Sequence, residues 1–145
     1  MCVALVFNGY LYAQQLPLPA AADKANKAKL FANLPDSFIV NKQQLNQLFS
    51  AEVDQAIAAQ LSKELLVTGT VEAKNQHNPG SISMNIRVAN YSNALFNVTL
   101  RLQADNSSAI QGRILHPKYG DVLVLYKVQD NYFIKKESLA LLMPD

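Results

Sequence analysis

Histidines and glycines are the first residues to test for chemistry, because many catalytic and phosphate sites depend on them. The chain has two histidines, His77 in an Asn- and Pro-containing turn and His116 directly before Pro117. Neither lies in a Gly-x-Ser-x-Gly or His-Glu-x-x-His context, and the five glycines form no phosphate-binding loop. We therefore expect no catalytic residue, no metal site and no cofactor, and we predict a protein that is not an enzyme. An enzyme would require His77 or His116 to meet a carboxylate and a hydroxyl in a cleft.

Three arginines in the second half of the chain form the strongest candidate for binding. They lie on the runs 82–88, 96–103 and 109–116, in which apolar and polar residues alternate and no acid occurs. The alternation should turn all three arginines away from the core, onto one polar surface. Such a surface suits an acidic protein or an anionic glycan. The residues of this predicted surface are Arg87, Arg101, Arg113, Asn85, Asn97, Thr99 and Gln111.

Three observations limit the binding hypothesis and the choice of partner. Arginine is also common on ordinary solvated strands, where it discourages pairing between sheet edges. Nucleic acid is disfavoured, because aromatic side chains do not interleave with the arginines as a stacking platform requires. The net charge of +2, with no like-charge run longer than Lys135–Lys136, also excludes a basic arm. The leading hypothesis is a non-catalytic binding module.

A carrier of a small apolar ligand is the alternative. A strongly curved sheet can enclose an apolar pocket, although aromatic and aliphatic side chains more often simply fill a core. The side chains that could line such a pocket are Phe96, Phe133, Tyr126, Leu100 and Ile86.

The elements that would position these residues are strands. From Glu64 onward the hydrophobic period is two, which predicts half-buried β-strands, and turn-forming residues such as Asn78-Pro79-Gly80 separate the runs. We expect about six strands in an antiparallel meander, which could be strongly curved or barrel-like. The six runs are 65–73, 82–88, 96–103, 109–116, 121–128 and 131–136.

The segments before the meander favour helix. Asn41 is a good N-cap, and an apolar stripe with helical spacing follows at 45–49. In 51–61 three apolar residues lie one turn apart, which predicts a second helix or the continuation of one bent helix. The predicted fold class is α+β, with N-terminal helical segments packed on a roughly six-stranded antiparallel meander.

The N-terminal segment concerns the compartment of the protein. The first 22 residues carry no charged side chain, and an apolar stretch ending at Ala13 resembles part of a signal peptide. This stretch is too short to span a membrane, so we predict no transmembrane segment. We interpret 1–14 as a signal-peptide remnant, 15–35 as a lead-in or tether and 36–145 as one domain, which would be secreted or periplasmic. If 1–14 is instead a β-strand, the protein would be cytoplasmic.

Overall fold

A computed structural model of the protein describes residues 27–142, which form an antiparallel β-sheet with two short helices. The predicted signal-peptide remnant at 1–14 and the first part of the predicted lead-in lie outside the described residues. The strands are β1 (Ser37–Val40), β2 (Ala56–Gln60), β3 (Leu66–Asn78), β4 (Ser81–Val88), β5 (Ala94–Leu102), β6 (Ser108–Leu115), β7 (Asp121–Val128) and β8 (Asn131–Ser138). Their order in the eight-stranded sheet is β1-β8-β7-β6-β5-β4-β3-β2.

Strands β3 to β8 follow one another both along the chain and across the sheet. They form where apolar and polar residues alternate; on β4, for example, Met84, Ile86 and Val88 are buried while Arg87 is exposed. An antiparallel sheet with one face on the core produces this period of two. The predicted antiparallel sheet is confirmed.

The predicted fold class is wrong, because the sheet has eight strands and little of the chain is helical. Segment 51–61 was expected to be helical but contains β2, which pairs with β3 along its whole length. The apolar residues Ile57, Ala59 and Leu61 also recur with a period of two, so the sequence fits a strand as well as a helix. Pairing with the edge of β3 decides the outcome, since a short isolated helix is marginal in water.

Helix α1 (Lys42–Gln47) follows β1 and begins where the N-cap predicts it. The side-chain oxygen of Asn41 accepts hydrogen bonds from the backbone N–H groups of Gln43 at 3.0 Å and Gln44 at 3.1 Å. Helix α2 (Leu139–Leu142) follows β8. In residues 27–142 neither helix has the length and the apolar character needed to cross a membrane.

The sheet curls into a half-barrel, and its inner face lines a single hydrophobic core. Leu45 of α1 is completely buried in this core. The two edge strands, β1 and β2, approach each other at their C-terminal ends. There the backbone N–H of Asn41 donates to the carbonyl of Leu61 at 2.6 Å. We call the core-lining side of the sheet the inner face and the opposite side the outer face.

Residues 27–34, which belong to the predicted lead-in, pack against the sheet. The carboxylate of Asp121 accepts hydrogen bonds from the backbone N–H groups of Leu30 at 2.7 Å and Phe31 at 2.8 Å. The ring of Phe31 is buried and lies 5.3 Å from the ring of Tyr91. We call residues 27–34 the base segment. Its residue Phe31 is part of the hydrophobic core.

Candidate binding site

The residues of the predicted polar surface share the outer face of β4, β5 and β6. Asn85 lies opposite Asn97, which lies opposite Arg113, and Thr99 lies opposite Gln111. Most of their neighbours along each strand, such as Ile86, Val98 and Ile114, are buried in the core, so these polar side chains point the other way. The amide of Asn97 donates to the side-chain oxygen of Asn85 at 2.6 Å, which joins two of them directly.

Arg87 lies on this face but its charge is balanced. Its guanidinium donates to both carboxylate oxygens of Glu72, at 2.8 and 2.9 Å, and to the main-chain oxygen of Asn93 at 3.1 Å. The hydrogen bond to Glu72 raises the pKa of Arg87 above its ordinary value. Glu72 lies on β3, outside the runs from which the surface was predicted. Arg87 is therefore half of an ion pair.

Arg101 and Arg113 differ from Arg87 in their charge environment. The ion pairs within residues 27–142 are Lys74–Glu52, Arg87–Glu72, Lys135–Glu137 and Lys136–Asp36, and neither Arg101 nor Arg113 takes part in them. The register places these two arginines four residues apart along the strand direction, or about 13 Å. Both line one groove of about 450 Å³, which we call the outer groove. Its other side chains include Thr99, Gln111, Val124 and Tyr126.

The opposite wall of the outer groove is apolar. Tyr126 on β7 lies opposite Phe133 on β8, which lies opposite Ile39 on β1. Tyr126 is 41% exposed and Ile39 is 65% exposed. The signal was present in the sequence, because the outward positions of β7 are all apolar: Val122, Val124, Tyr126 and Val128. Apolar side chains on β7 thus lie beside the polar surface of β4, β5 and β6, while the outer face of β8 is partly charged through Lys135 and Glu137.

The five side chains proposed for an enclosed apolar pocket lie on different faces of the sheet. Ile86 and Phe96 belong to the buried core, and Leu100 packs against it. Tyr126 and Phe133 lie on the outer face, because the neighbours Leu125, Tyr132 and Ile134 take the inner positions. The structure therefore does not bring the five together around one cavity.

Strands β6 and β7 separate over half of their length. They pair only between Gly112–Leu115 and Val122–Leu125. The ladders on either side run further, as far as Leu102 opposite Ser108 and Val128 opposite Asn131. We call the gap between Ser108–Gln111 and Tyr126–Val128 the cleft. It opens into a groove of about 460 Å³ whose lining includes Arg101, Gln111 and Tyr126 from the outer face and Ile110, Leu125 and Lys127 from the inner face.

Two side chains from the inner face reach into the cleft. The hydroxyl of Tyr132 accepts a hydrogen bond from the backbone N–H of Ile110 at 3.1 Å. The ammonium of Lys127 donates to the main-chain oxygen of Ser108 at 2.9 Å. Both bonds satisfy main-chain groups of β6 that have no partner in the β6–β7 ladder.

Asp105 is an acid in the turn between β5 and β6, near the open end of the cleft. Hydrogen bonds from the Ser107 hydroxyl and the Ser107 backbone N–H lower the pKa of Asp105 below its ordinary value. The positive charge of Lys127 makes a smaller contribution in the same direction.

The histidines lie away from the outer groove. The Nε2 atom of His77 is 2.8 Å from the hydroxyl oxygen of Ser83, and Nδ1 of His116 accepts from the backbone N–H of Lys118 at 3.1 Å. Within residues 27–142 neither ring hydrogen-bonds to a carboxylate. The same part of the chain contains no group of three or more His, Cys, Asp or Glu residues placed to hold a metal ion.

The outer groove and the cleft meet at Arg101, Gln111 and Tyr126, which line both. At this place Arg101, an apolar wall and an interrupted ladder come together. Comparisons with protein families, with curated proteins and with solved structures gave no match to this chain.

Proposed function

We propose that the protein is a non-catalytic binding module that holds an extended acidic segment of another protein along the outer groove. The observation that carries the proposal is that Arg101 and Arg113 line one groove and form no ion pair within residues 27–142. Carboxylates four residues apart on an extended chain are separated by about 13 Å, which matches the spacing of the two arginines. Each guanidinium can bind a carboxylate through two parallel hydrogen bonds.

The rest of the outer groove favours a polypeptide over an anionic glycan. Thr99 and Gln111 lie between the arginines and offer hydrogen-bonding groups to a main chain. Val124 and Tyr126 form an apolar wall that would contact aliphatic or aromatic side chains. A highly charged glycan gains most from a dense field of one sign, whereas only two cations without an ion pair line this groove within the described residues.

The test uses a synthetic probe, because the natural partner is unidentified. A fluorescein-labelled peptide that repeats Glu-Thr-Glu-Val, about twelve residues long, is titrated with the protein and followed by fluorescence anisotropy. The R101Q/R113Q variant should bind at least about tenfold more weakly, which corresponds to about 1.4 kcal/mol. R87Q should change the affinity by less than about twofold, because Glu72 already holds that charge.

The control for net charge is K63Q/K118Q, which removes the same number of charges from exposed positions outside the groove. Its affinity should stay within about twofold of the wild type in physiological salt, where distant surface charges are screened. Equal losses in the two double variants would reduce the effect to net charge and contradict the proposal. A heparin fragment that binds more tightly than the peptide, and loses affinity in R101Q/R113Q, would assign the groove to glycans instead.

A further inference from the structure

We infer that the cleft between β6 and β7 accepts the main chain of the acidic segment as an added strand. This inference rests on the proposed function and concerns how the same partner is held. An extended chain that pairs with an exposed strand edge gains main-chain hydrogen bonds without any requirement on its sequence. The cleft offers two such edges at once, on Ser108–Gln111 and on Tyr126–Val128.

The directions of the main-chain groups follow from hydrogen bonds across the neighbouring ladders. The N–H of Lys136 on β8 donates to the carbonyl of Asp36, next to β1, so even-numbered residues of β8 direct their main-chain groups toward β1. Odd-numbered residues of β8 therefore face β7, and the residues opposite them, Tyr126 and Val128, face β8. The main-chain groups of Lys127, between those two residues, must then point into the cleft.

On the other side of the cleft, β6 presents its main chain in the same way. The N–H of Ile110 points into the cleft, because it donates there to the hydroxyl of Tyr132. The carbonyl of Ser108 also points there, because it accepts from the ammonium of Lys127. Donors and acceptors of both strands are thus directed at one space.

Two side-chain hydrogen bonds now occupy the cleft, and one of them comes from a side chain that can move. The ammonium of Lys127 is at the end of a flexible stem and could move without breaking a ladder bond. The β5–β6 and β7–β8 ladders are complete on either side, so each strand keeps a full partner when the cleft is filled. These two side chains occupy the positions that a strand in the cleft would take.

Charge points to an acidic occupant. The described hydrogen-bond partner of the Lys127 ammonium is a neutral carbonyl, and Arg101 lines the same cleft. Side chains of an added strand alternate between the two faces, so neighbouring residues would meet Lys127 from the inner face and Arg101 from the outer face. A carboxylate in either position would form a charge-assisted hydrogen bond, which is stronger than a bond between neutral groups.

The test closes the cleft with a reversible cross-link. Continuing the register of Gly112 opposite Leu125 would place Ala109 opposite Val128. In a background with Cys2→Ser, the A109C/V128C variant should form a disulfide that draws the two strands together. The oxidised form should bind the Glu-Thr-Glu-Val peptide at least about tenfold more weakly, and reduction should restore the affinity.

The matched control is L115C/V122C, which joins the same two strands where they are already paired. Its affinity for the peptide should be the same when oxidised and when reduced. Full binding by oxidised A109C/V128C, together with weak binding by R101Q/R113Q, would overturn strand insertion and leave the proposed function intact. If neither the cross-link nor the arginine variant changes binding, both the inference and the proposed function are wrong.

A second measurement needs no substitution. Amide hydrogen exchange of the wild-type protein is followed by NMR with and without the peptide. Insertion should slow exchange at the Lys127 amide, which would gain a main-chain acceptor from the peptide. Binding on the outer groove alone would leave that exchange rate unchanged and would overturn the inference, even if the disulfide does not form.

Discussion

Tyr132 has two different environments at the two ends of its side chain. Its ring is buried in the core, while its hydroxyl lies in the cleft and accepts the N–H of Ile110. A buried N–H without an acceptor is costly, so the hydroxyl compensates for the missing ladder partner on β7. The Tyr132 hydroxyl thus provides an acceptor for a buried main-chain N–H at the place where the β6–β7 ladder is interrupted.

Replacing Tyr132 with Phe should lower the free energy of unfolding by about 1–3 kcal/mol, because it leaves the buried N–H of Ile110 without its acceptor. Y126F on the neighbouring strand is the control. The Tyr126 hydroxyl is exposed and lies 3.4 Å from a carboxylate oxygen of Glu137, so its removal should cost less than about 0.5 kcal/mol. Urea unfolding followed by circular dichroism measures both, and equal costs would contradict the role given to the Tyr132 hydroxyl.

Arg87 shows what residue patterns can and cannot predict. The alternation in 82–88 correctly places its side chain on the outer face, because direction depends only on the period of the strand. Its ion pair with Glu72 depends on which strand lies next to β4 and on the register between them. Neither is encoded within the run itself, so the three arginines look alike in the sequence while one of them carries a bound counter-charge.

At the scale of elements, strands were predictable where alternation was long and unambiguous. Strands β4 and β5 coincide closely with their predicted runs, and β7 also matches its run although Val122–Tyr126 is apolar on both faces. Strand β2 was missed, because Ala-Ile-Ala-Ala-Gln is short and its fate depends on the edge of β3. The cleft was also beyond sequence reasoning. Residues 109–111 and 126–128 fall within the predicted runs, and those runs do not show where the β6–β7 ladder stops.

Gly69 marks a place where strands β3 and β4 approach very closely. A Cβ atom on Gly69 would overlap the carbonyl oxygen of Arg87 on the neighbouring strand. A shift in register follows between Val71 and Ala73, so the ladder is already irregular here. Glycine within a strand often marks such close backbone approaches.

Replacing Gly69 with Ala should destabilise the protein by about 1–3 kcal/mol or more, because backbone atoms rather than a flexible side chain must move aside. The control is G80A in the turn between β3 and β4. There the added Cβ would lie 3.4 Å from the Cβ of Leu102, an ordinary contact, so stability should change by less than about 0.5 kcal/mol. Thermal unfolding of both variants tests this, and a G69A protein as stable as G80A would contradict the close approach.

At the scale of the whole molecule, one core serves the complete sheet. Its buried residues come from α1, from the base segment and from every strand, for example Phe31, Leu45, Phe96 and Tyr132. A single core of this kind predicts that the protein unfolds as one cooperative unit. The inner face is occupied by this core, so an extended partner would have to use the outer face or the cleft.

Asp121 connects the base segment to this cooperative unit, and its removal tests whether the connection is part of the fold. D121A removes the acceptor for the N–H groups of Leu30 and Phe31, so the free energy of unfolding should fall by about 1–3 kcal/mol. D130A, at an exposed acid in the β7–β8 turn, should change it by less than about 0.5 kcal/mol.

Two spectroscopic signals follow the unfolding of D121A in urea. Circular dichroism reports the sheet, while tyrosine fluorescence includes Tyr91 beside Phe31. In D121A both signals should shift together to lower urea. A fluorescence change that precedes the loss of the sheet would instead show that the base segment folds separately from the core.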